Sequence, residues 1–169
     1  MNNKWNTRIK KGYLKIHVAV DINTKKILSM EITTDEHVHD NRMLPTLVDD
    51  LVKSNEYIID KFLADGAYDS NDTFRYLSEN RIIPCIKVRK NSRVRWKTAH
   101  ILRNLSVITQ RHDLKQWEDS VSYGQRWMIE TVFLSLKRMF GEYVYSLKKE
   151  NMKQELLLKA SLYNKLLSL

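Results

Sequence analysis

The sequence predicts an α/β domain with a mixed sheet and a helical C-terminal half. Three observations carry this. Apolar, β-rich runs alternate with helical patterns in the order β-β-α-β-α-β over residues 13–88, and the patterning beyond is helical throughout. The 169 residues, 43% of them hydrophobic, are enough for a core without disulfide staples. With 4 Gly and 2 Pro, the chain is neither a low-complexity linker nor disordered.

Residues 13–20 (YLKIHVAV) and 26–33 (KILSMEIT) read as two strands. Asp21, Ile22, Asn23 and Thr24 between them suit a turn, which makes the pair a hairpin. A helix follows at about 42–54, with Asp40 or Asn41 as its cap, Pro45 in the tolerated first turn, and Leu44, Leu47, Val48 and Leu51 among its inward residues. The apolar run at about 59–64 stops at Asp65-Gly66 and reads as a buried strand. Ser70 caps a helix over about 71–79 that turns Phe74 and Leu77 inward. Residues 82–88 form another strand, which Pro84 makes irregular or places at an edge. A helix is expected over about 97–111. A long one spans about 119–140 and stops at Gly141. A last one covers about 150–168, with Leu156, Leu157, Leu158, Leu162, Tyr163 and Leu166 inward.

Lys and Arg number 29 against 20 Asp and Glu, a formal net charge of +9. The excess is local: residues 81–115 hold 10 basic side chains and one acidic, Asp113. A concentrated cationic stretch favours a polyanionic partner, and without a basic amphipathic helix beside it nucleic acid is preferred to a membrane surface. Arg89, Lys90, Arg93 and Arg95 are the expected DNA contacts. No apolar run is long enough to span a bilayer, and the polar first dozen residues do not read as a secretory signal. The single Cys85 excludes a disulfide framework and suits a reducing cytoplasm.

Two patterns point to chemistry. Tyr123, Arg126, Glu130 and Lys137 fall within an arc of about 60° if residues 119–140 are one α-helix. They make either a polar stripe with a task or a solvated face with an i,i+4 Arg–Glu pair. Asp65, directly after an apolar strand and before Gly66, either projects from a strand tip, where α/β sheets place their sites, or closes a turn.

Taken together, the segments ADGAYDS and YGQRWMIETVFLSLK resemble the DDE transposases of bacterial and archaeal insertion sequences, whose Tyr-Arg-Glu-Lys signature has this spacing. The hairpin text, HDNRMLPTLVDD and IIPCIKVRKNS are similar to the same family, so the resemblance covers roughly residues 10–165. It implies an RNase H-like mixed sheet with flanking helices. It also implies three carboxylates that hold two Mg²⁺ or Mn²⁺ ions for DNA cleavage and strand transfer. On this resemblance Asp65 is the second acid and Glu130 the third. Arg126 and Lys137 hold DNA phosphates near the scissile bond, and Tyr123 faces DNA. The partners are transposon ends and target DNA, in a prokaryotic cytoplasm at the nucleoid.

The sequence departs from the family pattern at its start. The first acid belongs on a strand ahead of the hairpin, yet residues 1–12 contain no Asp or Glu. Asp21 sits in the hairpin turn, at the wrong end of its strand to replace it. Residues 1–169 are therefore expected to be a partial catalytic domain. Its parts are a polar leader (1–12), the sheet and helices with the second acid (13–88), a basic segment (89–118), and C-terminal helices with the third acid (119–169). The first, central strand is expected to be missing, metal binding weakened and the isolated chain inactive. The expected protein partner is an upstream polypeptide that supplies the strand, or a homodimer partner. The alternative is a catalytically inactive DNA-binding remnant or regulator of a mobile element.

Weaker signals remain. His37 and His39 are half of a metal site at best, and His17 is a packed or partner-facing residue. Trp96 and His100 pack under the loop or stack on bases. Cys85 reads as buried, and Asp69 and Asp72 as charges at a helix start.

Overall fold

The computed structural model describes residues 14–33, 40–54 and 57–169. The expected polar leader and the His37/His39 pair lie outside the described residues. Strands β1 (Lys15–Val20) and β2 (Ile27–Thr33) pair antiparallel as the expected hairpin, with Val18 opposite Met30 and a register shift between Ala19 and Val20. The Asp21 carboxylate builds the turn by accepting from the Asn23 N–H at 3.0 Å and the Thr24 hydroxyl at 2.5 Å. Lys25 takes the left-handed φ of 62° that closes it. Asp21 is a turn residue, as its place in the sequence implied.

A 3-10 turn over Asp40–Met43 leads into helix α1 (Leu44–Ser54), with Pro45 at its second position. The Asp40 carboxylate pairs with Lys15 of β1 at 2.5 Å, a link the expected capping role left out. Strand β3 (Lys61–Ala64) and strand β4 (Ile83–Ile86) pair in parallel, and helix α2 (Asn71–Glu79) crosses between them. Ser70 caps α2 as predicted, its hydroxyl accepting from the Thr73 N–H at 3.1 Å. Pro84 is tolerated because β4 has a single partner among the described residues. Helices α3 (Ile101–His112), α4 (Leu114–Val121), α5 (Met128–Phe140) and α6 (Lys149–Leu166) complete the chain.

Two apolar clusters hold these parts. Leu44, Leu47 and Val48 of α1 pack with Phe74 and Leu77 of α2 and Ile86 of β4. Ile27 and Met30 of the hairpin pack with Val132 of α5 and with Ala160 and Tyr163 of α6. Asn164 fastens α6 to the hairpin by bonding both the N–H and the carbonyl of Ile27, at 2.9 and 2.7 Å.

Three expectations need correction. First, the α/β class holds, but the described strands form two separate two-stranded ladders, not one mixed sheet. Each pair satisfies itself and leaves an edge, and β1 and β3 both line a cleft of about 590 Å³ with α1. Second, residues 119–140 are not one helix. Ser122 adopts a left-handed conformation (φ 56°) that ends α4, a 3-10 segment runs over Tyr123–Trp127, and only then does α5 begin. Ser120, Ser122 and Gly124 are weak helix formers in a short span, which makes this the cheapest place to break. The end at Gly141 (φ 77°) is as expected, its N–H donating to the Lys137 carbonyl. Third, Leu158, Leu162 and Leu166 are exposed, because α6 meets the hairpin through Leu156, Leu157, Ala160 and Tyr163 instead.

Candidate nucleic-acid site

Asp65 follows the last residue of β3. One of its oxygens accepts from the Ala67 N–H at 2.9 Å and so starts the 3-10 turn Gly66–Tyr68. The side chain therefore closes a turn and still projects half-exposed from a strand tip. Its other oxygen lies 3.9 Å from Arg126 Nη1, and Arg126 Nη2 lies 3.9 Å from Glu130 Oε1. These spans exceed a hydrogen bond but are close enough for charges to attract. The strand-tip acid and the helix acid thus converge on one guanidinium.

The 3-10 segment makes that convergence. At three residues per turn, Tyr123 and Arg126 stand one above the other. Tyr123 is buried, and its hydroxyl donates to the Ala64 carbonyl at 3.1 Å. Its ring packs tilted against Trp117 at 5.2 Å, with Lys87 Nζ 5.7 Å from the ring centre. Burial raises the pKa of the phenol. Tyr123 is therefore a core residue that locates the end of β3, not a surface residue as a helical stripe would make it. Lys137 lies about 10 Å along α5 from Glu130 and reaches Glu142 at 3.4 Å, away from the two acids. Tyr68, edge-on to Phe62 at 5.6 Å, has its pKa pushed up to about 12 by burial and by the nearby Asp40 and Asp65.

Of the basic residues, Arg89, Lys90, Arg93 and Arg95 are all exposed in the loop after β4. Arg89 turns toward Asp65, its Nε donating to the Gly66 carbonyl at 2.7 Å. A side chain at Gly66 would meet Arg89 Cγ at 3.1 Å, so the missing Cβ is what lets the two segments close. Trp96 is exposed, whereas Cys85 is buried and its thiol pKa is raised by that burial.

Asp69 corrects the sequence reading most. Its side chain is wholly buried and pairs with Arg103 Nε at 2.7 Å, while Asp72 is the exposed helix-start charge. The inward face of α3 carried the missed signal. Asn104, Val107 and Gln110 are buried at i, i+3 and i+6 with Arg103 half-buried beside them, an unusually polar set for a buried face.

Carboxylate oxygens are what hard divalent ions prefer, and Asp65 and Glu130 supply them. Two carboxylates do not make a two-ion site, however. Among the described residues no group of three or more His, Cys, Asp or Glu could hold a metal. The residues present therefore fit the chemistry of such ions but fall short in number.

The α/β frame turns two carboxylates toward a shared arginine, with a basic loop beside them. The particular family follows: the transposase DDE domain matches residues 2–165, and the chain belongs to that family. Its role accordingly lies in DNA transposition, and transposases bind DNA. No curated protein and no solved structure matches the chain. No helix among the described residues is long and apolar enough to cross a membrane.

Proposed function

We propose that the chain binds the DNA ends and target of a mobile element, and holds two of the three carboxylates needed for metal-dependent cleavage and strand transfer on an RNase H-like frame. Asp65 is the second acid and Glu130 the third. Arg126 binds a phosphate near the scissile bond, Lys137 binds one about two helical turns beyond Glu130 along α5, and the loop of Arg89, Lys90, Arg93 and Arg95 carries the DNA toward them. Tyr123 acts through Ala64 by fixing the level of Asp65. The observation that carries this reading is the placement of Arg126 within 3.9 Å of both Asp65 and Glu130.

The cleft that β1 and β3 both line is where a third carboxylate would meet Asp65 and Glu130, on a strand from another polypeptide. With two carboxylates Mg²⁺ or Mn²⁺ binds weakly, and the chain retains DNA without cutting it.

Incubation of the purified chain with Mg²⁺ or Mn²⁺ and its own element's DNA ends tests this. A salt-steep gel shift with no cleavage is expected. Efficient cleavage by the chain alone would refute the incompleteness, and absence of salt-sensitive binding would refute the DNA reading. That no group of three or more metal-ligating side chains occurs among the described residues favours a second reading, a non-enzymatic DNA-binding regulator. A peptide carrying the strand and its acid separates the two, because restored cleavage supports the split enzyme and continued inactivity the regulator.

A further inference from the structure

The basic loop after β4 is fixed from within. Asp69 accepts the Arg89 backbone N–H at 3.0 Å, the Ser92 hydroxyl, and both Nε and Nη2 of Arg103 at 2.7 and 3.3 Å. Helix α3 clamps the same loop along its length. Gln110 accepts from the Val88 N–H at 3.0 Å, Asn104 accepts from the Arg95 N–H at 2.9 Å, and Arg111 donates to the Ser92 carbonyl at 2.5 Å. A surface segment held this way gives up its backbone freedom on folding, not on binding, which lowers the cost of seating a ligand.

The Arg93 and Arg95 side chains are left out of the clamp. No side-chain hydrogen bond or ion pair of Arg93 or Arg95 is found among the described residues, and both are exposed. They wall a cavity of about 270 Å³ together with Arg89 and Arg103, and Ser70 and Asn71 at the start of α2 also line it. Four guanidiniums face one carboxylate, Asp69, and that carboxylate is already saturated by Arg103, Ser92 and the Arg89 N–H. The cavity is smaller than the roughly 300–1,000 Å³ of ordinary small-molecule pockets. Its lining suits a compact oxyanion, which planar guanidiniums grip through paired N–H donors.

We propose that this pocket is a phosphodiester-binding subsite of the DNA backbone, with Arg93 and Arg95 as its free donors. It rests on the DNA reading above and gives that reading a specific anchor. Arg89 ties the pocket to the acid site, since its backbone reaches Asp69 and its Nε reaches Gly66, the residue after Asp65. A strand seated here is led to the strand tip that carries the acid.

Fluorescence anisotropy of a labelled duplex over a salt series tests the proposal on the full chain. The double variant Arg93→Ala/Arg95→Ala should bind about tenfold more weakly at low salt, with the log–log salt slope reduced by about 1–2. The double Lys148→Ala/Lys149→Ala removes the same charge at the exposed start of α6 and should change the slope by clearly less. Equal losses in the two doubles would mean a diffuse field and overturn the subsite. Titration with inorganic phosphate, read on the arginine Nε resonances, separates this proposal from the one beneath it. Saturable shifts that vanish in the arginine double support the pocket. Saturable shifts without any DNA binding would sink the DNA reading and the DNA assignment with it. DNA binding without any phosphate-induced shift would overturn the pocket alone.

Discussion

The Tyr123 hydroxyl donates to the carbonyl of Ala64 at 3.1 Å, one residue before Asp65. Through this bond the 3-10 segment sets the height of the strand tip, and Arg126, one turn further on, meets the Asp65 carboxylate. Tyr123→Phe should cost about 0.5–1.5 kcal/mol, because the Ala64 carbonyl keeps a second donor in the Lys87 N–H. That corresponds to about 2–4 °C in melting temperature per kcal/mol for a chain of this size. DNA affinity should be unchanged at every salt concentration. Weaker binding at an unaltered salt slope, with no loss of melting temperature, would show instead that the phenol faces DNA.

Asp69 and Arg103 form the most buried ion pair of the basic loop, with side-chain exposures of 0% and 14%. Asp69→Asn should cost about 3–5 kcal/mol, since it strands a guanidinium away from water. Arg103→Met should cost a similar amount by stranding the carboxylate. The double variant should be clearly less destabilised than the sum, because it leaves neither charge alone. Urea unfolding of the three variants measures the coupling, and strict additivity would show that the two side chains act independently.

Ser70 accepts the Thr73 N–H at the start of α2. Ser70→Ala should cost about 1 kcal/mol by leaving a helix-end donor unpaired, and Ser70→Asp should restore most of it. A thermal melt in which both variants match the parent would contradict the capping role.

Stability should fall with acid in two separate windows. His17 is buried in β1, and this burial, against the attraction of Asp40, lowers its pKa from the ordinary 6.5. The unfolded chain therefore takes up the proton first. Stability is whole above about pH 6.5 and declines as pH falls toward the folded-state pKa. Glu155 is held down to about 2 from 4.5 by the Lys159 ammonium and the Ser146 and Tyr145 N–H groups. Its contribution is whole above 4.5 and is lost as pH falls from there toward 2. His17→Gln should flatten the urea midpoint between pH 7.5 and 5.5 while leaving the steeper fall below 4.5. An unchanged profile in the upper window would rule His17 out as its source.

What the sequence determined by itself is local. Ser70 as a cap, Gly141 as a stop, the turn around Asp21 and the strand that ends at Asp65 are each set by a few neighbouring residues. The order of elements and the family signature were legible for the same reason, since both run along the chain. Tertiary structure decided where those residues point. Spacing treated residues 119–140 as one cylinder, but Ser122 breaks it, so Tyr123 enters the core, while Lys137 pairs with Glu142. Asp69 read as a helix-start charge because its partner, Arg103, comes from another helix. The described strands make two ladders because pairing depends on which edges meet in space, and no local pattern encodes that. Caps and turns are won by short-range hydrogen bonds, whereas burial and ion pairing are settled by contacts between distant segments.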